Sequence, residues 1–247
     1  NCRGEPTYGA CVNPALTISD HDRAMARTIA LIAACLALAG CGSLVPDGRG
    51  AQAPRAPGRT AVVTPSPQAQ QCLADLGAAG ARFSALPDRY GENGCALLGT
   101  VSLSAVRGDF DSLGISNLGP VACPTASAFS DWARYGVDRA ARQLLGSPIA
   151  RIETMGSYAC RNVAGSSRRS AHATADAIDI AAFVLADGRR ISVLDHWNNG
   201  TASERQFLRT VQRSACRRFR TVLGPEYNAA HRDHFHLERG GDGGFCR

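Results

Sequence analysis

Six cysteines, Cys72, Cys95, Cys123, Cys160, Cys216 and Cys246, are spread over most of a 247-residue chain and end one residue short of its last position. An even set on that scale suits an oxidising compartment, where thiols pair and long loops are closed covalently. Three disulfides are expected, and spacing alone does not choose among the possible pairings. The chain is 45% hydrophobic and 19% charged, enough to bury one sizeable core. One folded domain with extensions is the expected organisation.

The other four cysteines lie upstream. From Met25 the chain reads Met25-Ala-Arg-Thr-Ile-Ala-Leu-Ile-Ala-Ala-Cys-Leu-Ala-Leu-Ala-Gly-Cys41, which is one arginine, a short apolar run and small residues before a cysteine. That is the pattern of a secretory signal, too short for an ordinary membrane span. Leu38-Ala39-Gly40-Cys41 resembles the bacterial lipobox, in which cleavage precedes the cysteine and its thiol takes a diacylglycerol. Residues 1–24 then read as an upstream extension of the reading frame, residues 25–40 as the signal, and Cys41 as a lipid anchor to the membrane. Residues 41–71 are rich in Pro, Ala, Gly and Gln and too poor in large apolar groups to fold, so they read as a tether. The expected location is the bacterial cell envelope, facing the periplasm.

Within residues 72–247, Leu73, Leu76 and Phe83 have loose helical spacing. A stronger helix is expected from Ala126 to Leu145, with Phe129, Trp132, Val137, Ala140, Ala141 and Leu144 on one side and Gly146-Ser147-Pro148 as its stop. Ser203 and Gln206 have the spacing of a capping box ahead of Phe207, Leu208, Val211, Ala215 and Phe219. Between these helices, Ile178 to Leu185 and Ile191 to Leu194 flank the turn dipeptide Asp187-Gly188, which predicts a hairpin. Helices and antiparallel strands in mixed order predict an α+β domain with a small central antiparallel sheet flanked by helices.

Histidine placement carries the chemistry. Five of the six histidines fall between residues 172 and 236, three of them in His231-Arg-Asp-His-Phe-His236. On an extended strand alternate residues share a face, so His234, His236 and Glu238 point one way while Phe235 and Leu237 enter the core. Ile178 and Ile180 likewise place Asp179 on the face opposite the core. A buried Asp179 would be costly without a cation. Two imidazoles and a carboxylate suit zinc, which in catalytic sites keeps a fourth position for water. A solvated strand edge with hydrogen-bonded histidines is the alternative.

The run Ser170-Ala-His172-Ala-Thr-Ala-Asp-Ala-Ile-Asp179, followed by His234-Phe-His236, resembles signatures of the zinc D-alanyl-D-alanine carboxypeptidase and murein endopeptidase metallopeptidases. More closely, Gly156-Ser-Tyr-Ala-Cys-Arg161, Asp187-Gly-Arg189, Val222-Leu-Gly-Pro-Glu-Tyr-Asn228, His231-Arg-Asp-His-Phe-His-Leu237 and Phe245-Cys-Arg247 resemble the bacterial extensin-like C-terminal domain family. The resemblance implies Zn2+ held by His172, Asp179 and His236 on the sheet face, with a peptidoglycan peptide as substrate class. It also implies Arg161 near a substrate carboxylate or developing oxyanion, and Ser170 near the metal. The chain departs from many related peptidases at Ala175, where glycine is usual, and at Asp176, whose extra carboxylate would hold or perturb a ligand histidine.

A zinc-dependent hydrolase of amide bonds in peptidoglycan peptides is therefore the expected function, with His234 as proton-transfer group. Asp233 is the alternative base, although alternation turns it away from the site, and His231 is a loop residue within reach. His196, at a strand end, reads as structural. A non-catalytic, metal-stabilised wall-binding lipoprotein is the rival function, and a purely disulfide-held structural lipoprotein a further one. The net charge of +6 comes from arginines without a lysine-rich or aromatic-interleaved run, so no nucleic-acid partner is expected. A monomer is expected.

Overall fold

The computed structural model describes residues 66–240 and 244–247, so the signal pattern, Cys41 and nearly all of the tether lie outside the described residues. In chain order the elements begin with α1 (Pro67–Ala78), β1 (Arg82–Ala85), β2 (Arg89–Tyr90), β3 (Ala96–Leu97), β4 (Thr100–Arg107), β5 (Ser112–Ser116) and β6 (Pro120–Ala122). There follow α2 (Cys123–Trp132), a π-helical stretch (Ala133–Asp138), α3 (Arg139–Leu145), β7 (Ile149–Gly156), β8 (Ala177–Leu185) and β9 (Arg190–Ser192). The chain ends with α4 (Val193–Asn199), α5 (Ala202–Ala215), β10 (Thr221–Leu223), β11 (Phe235–Glu238) and β12 (Phe245–Cys246).

The α+β class is as expected, but the sheet is neither small nor wholly antiparallel. Ten strands run in the order β1, β4, β5, β7, β8, β11, β10, β12, with β6 added on β4 and β9 on β8. β5 and β7 pair in parallel, as do β10 and β12. The β5–β7 pair is made possible by the long crossover through α2 and α3, since parallel neighbours cannot be joined by a tight turn. Several added strands are only two or three residues long, too short to show a period of two in sequence.

β8 is the axis of the site. Its first half pairs with β11 and its second half with β9. Ile178 and Ile180 are fully buried in the core, as are Phe235 and Leu237 on β11. A register shift against β7 then brings Phe183 and Leu185 into the same core. Helices cover that face. Trp132 and Phe207 meet Phe183 with ring centroids 6.1 and 5.2 Å apart, and the Trp132 Nε1–H donates to the Val211 carbonyl at 2.9 Å. Trp197 of α4 packs edge-on to Phe235 at 5.6 Å, directly behind the histidine run.

Several local expectations are corrected. Phe83 is on β1, because α1 ends at Ala78. α1 begins at Pro67 behind the N-cap Ser66, so its first turns take in residues assigned to the tether. The capping box of α5 is Thr201 with Glu204, whose carboxylate accepts the Thr201 N–H at 2.7 Å, and not Ser203 with Gln206. The second arm of the hairpin stops at Ser192, where α4 starts, so His196 is helical and its Nδ1 accepts from the Ser192 N–H at 3.2 Å. That bond gives it the structural role expected. All six downstream cysteines pair, as Cys72–Cys123, Cys95–Cys160 and Cys216–Cys246.

Candidate metal centre

His236 and Asp179 are register partners on the antiparallel strands β11 and β8. Both point away from the apolar core, and the Nδ1 of His236 lies 2.9 Å from the Asp179 carboxylate. The third member comes from a loop. At the end of β7 the register shifts beside Met155, and Gly156, which stands opposite Asp179, takes φ 116°, a conformation side-chain-bearing residues rarely adopt. This turn starts a long excursion whose arms are held by Cys95–Cys160, by the Ala159 N–H on the His172 carbonyl at 3.0 Å and by the Ser170 N–H on the Arg161 carbonyl at 3.2 Å. At its end a 3-10 turn, Ala171–Thr174, presents His172.

Ser170 is the N-cap of that turn and accepts the His172 N–H through its hydroxyl, so it positions His172 through the backbone. Ala175 closes the turn in the left-handed region at φ 57°. A left-handed conformation is what glycine adopts freely, so Ala175 is one of few side-chain-bearing residues with positive φ among the described residues. Asp176 does not touch a histidine. Its carboxylate accepts the Thr125 hydroxyl, so the expectation that it holds or perturbs a ligand is corrected: it ties the loop to α2.

Ligand-type atoms of three residues converge. His172 Nε2 lies 3.1 Å from His236 Nδ1 and 3.2 Å from Asp179 Oδ2, and Asp179 Oδ1 lies 2.9 Å from His236 Nδ1. For tetrahedral zinc with bonds of about 2.0–2.1 Å, neighbouring ligand atoms are about 3.3 Å apart, close to the His172–His236 and His172–Asp179 Oδ2 separations. Both rings are also oriented from behind. His172 Nδ1–H donates to the Ser157 carbonyl, leaving Nε2 as the inward lone pair, and His236 Nε2 faces the Glu238 carboxylate at 3.5 Å, leaving Nδ1 inward. Outer partners of this kind fix tautomer and ring direction in metal sites. The group can hold a metal ion.

The charges fit the same reading. Burial works to raise the Asp179 pKa, but hydrogen bonds from His172 and His236 override it and hold the carboxyl well below the usual range. Burial works to lower His236, but the Asp179 and Glu238 carboxylates override it and raise the ring to about 9. Without metal, a proton between two carboxylates supplies the positive charge that the site calls for.

The rim is formed by the rest of the histidine run. His234 Nδ1 meets the Asp233 carboxylate at 2.8 Å, and its Nε2 lies 3.6 Å from Asp179. Asp233 thus touches His234, not the cluster; both lie before β11 begins at Phe235, so strand alternation does not place them. His231 lies in a 3-10 turn, Ala229–His231, with ring centroids 5.1 Å from His234 and 5.9 Å from His236. Burial, then the neighbouring His234 and His236, lowers it to about 4. Arg161 has an exposed side chain on the loop that delivers His172. Sequence reasoning gave no role to Ser157, Glu238 or Asn228. Only Glu238 left a signal, its place on the His234/His236 face.

Fold and centre together define a class: an α+β domain closed by three disulfides, with a buried two-histidine, one-aspartate group on one sheet face. The chain belongs to the family described as Extensin-like protein C-terminus, whose model matches residues 70–247. It matches no curated protein and no solved structure.

Proposed function

We propose that the protein is a zinc-dependent hydrolase of amide bonds in peptidoglycan peptides, displayed on the envelope as a lipoprotein anchored through Cys41. The observation that carries this reading is the His172–Asp179–His236 triangle, with its two rings oriented from behind and a histidine–carboxylate pair at its rim. A structural zinc normally takes four protein ligands, whereas a catalytic one takes three and keeps an open position. Among the described residues this group has three members. The resemblance of the histidine motifs to those of murein metallopeptidases supplies the substrate class.

Zinc held by His172, Asp179 and His236 would supply Lewis acidity toward water and a scissile carbonyl. The remaining work belongs to side chains. His234, its Nδ1–H donated to Asp233, turns Nε2 toward the cluster and is placed to take a proton there and return it to the leaving amine. Asp233 positions that ring. Arg161, on the loop that delivers His172, would offset negative charge on the substrate.

The test is release of fragments from purified muropeptides, before and after chelation and after zinc is restored. Cleavage that is lost on chelation and regained with zinc supports the reading. Binding without cleavage in every state would replace it with the wall-binding module.

A further inference from the structure

The tautomer of His231 can be read from its surroundings. The Ala230 N–H donates to the Asn228 side-chain oxygen at 3.0 Å, which fixes which end of that amide is oxygen. The same oxygen lies 2.7 Å from His231 Nδ1, so Nδ1 must carry the hydrogen. Nε2 then presents a bare lone pair, with no hydrogen-bond partner among the described residues. The metal group does not include His231, so this lone pair is not spent on the cluster.

Next to it stands an aromatic shelf. The Tyr227 ring lies 5.4 Å from His231 and 5.7 Å from Phe245, both edge-on, and the two shelf rings are 43% and 44% exposed. Contiguous exposed apolar surface marks contact sites more often than isolated exposed side chains do. The shelf is rigid: β12 pairs with β10, the Phe245 N–H donates to the Arg220 carbonyl at 2.7 Å, Cys246 is bonded to Cys216, and the Tyr227 N–H donates to the Gly224 carbonyl at 3.0 Å. Rings therefore run without a break from His236 and His234 through His231 and Tyr227 to Phe245.

Resting on the hydrolase reading, we infer that His231, Tyr227 and Phe245 form a specificity subsite for the peptide residue next to the scissile bond. His231 Nε2 accepts that residue's backbone N–H, and the Tyr227–Phe245 shelf packs against an apolar side chain. The spacing favours a peptide residue over a more distant saccharide, because His231 is in ring contact with both His234 and His236, and consecutive residues of an extended peptide are only about 3.3–3.6 Å apart.

The experiment compares zinc-loaded wild type, His231→Phe, His231→Gln, Tyr227→Phe and Tyr227→Ala on two sets of wall peptides. One set carries an N-methyl group on the amide beside the scissile bond, and the other replaces the apolar side chain there with an acidic one. Wild type should prefer the N–H peptide by about five- to tenfold in KM, the scale of one hydrogen bond. His231→Phe should lose that preference with zinc content unchanged, and His231→Gln should recover part of it. Tyr227→Ala should lose the preference for the apolar side chain, and Tyr227→Phe should keep it. If wild type cuts these peptides but the His231 and Tyr227 variants show its full preferences, the subsite is refuted while the hydrolase stands. If wild type neither binds nor cuts any of them, both fail.

Discussion

Asp179 and His236 face each other across the β8–β11 pair, with carboxylate and Nδ1 2.9 Å apart on the face opposite the core. Their partners along each strand, Ile178 and Ile180 on one and Phe235 and Leu237 on the other, are buried completely. The apolar residues thus fix the register that makes the polar pair. A slip of β11 by one residue would turn His236 into the core and Phe235 and Leu237 out of it, at a large cost.

From this follows the effect of removing a ligand. His172→Ala, Asp179→Ala and His236→Ala should each abolish stoichiometric zinc while the three disulfides still form. Metal analysis beside thiol titration reads both. Full zinc in any two of the variants would place the metal elsewhere.

The outer partner should matter less. Glu238→Gln leaves the three ligands intact but weakens the carboxylate behind His236 Nε2, so zinc affinity should fall by about 10- to 100-fold, the usual scale for such partners. Competition with a metal indicator measures it. Unchanged affinity would mean that the 3.5 Å contact orients nothing.

Half of this centre is legible in the sequence and half is not. Alternation in Phe235-His236-Leu237 and Ile178-Asp179-Ile180 is a local property of extended chain, so it gives both faces without knowledge of the fold. His172 has no such periodicity. It reaches the centre through a left-handed turn at Ala175, a capped 3-10 turn and a disulfide pairing that spacing does not select. Its place came from motif resemblance alone. The caps of α5 show another limit: Thr201 with Glu204 and Ser203 with Gln206 both satisfy the pattern, and only the chain's entry into the helix separates them. The hairpin and the histidine strand account for β8, β9 and β11 alone; β4 and β7, eight residues each, are not among the expected strands, and β6, β10 and β12 are too short to show a period of their own.

Removing the metal should expose a pH dependence with two sides. His236 is raised from 6.5 to about 9, so its contribution to stability is complete below about 6.5 and is lost as pH rises toward 9. His231 is lowered to about 4, so protonation opposes folding as pH falls from 6.5 toward 4. Asp179, held low, keeps its contribution until pH falls below the ordinary carboxylate range. The chelated protein should therefore melt at its highest temperature near pH 6.5. Zinc should remove the alkaline loss, because the ion replaces the proton on His236. A Tm of the chelated protein that is flat or rising from pH 6.5 to 9 would contradict this.

The most direct test of the hydrolase account is zinc content and muropeptide turnover measured on the same preparations of wild type, His234→Ala and Asp233→Asn. His234→Ala should keep near-stoichiometric zinc and lose roughly 100-fold or more in turnover, the scale for removing a positioned acid/base group. Asp233→Asn should cost much less, since that carboxylate orients His234 without touching the cluster. A zinc-loaded Asp233→Asn that is inactive beside a fully active His234→Ala, or a zinc-loaded wild type that cuts no muropeptide, would contradict the account.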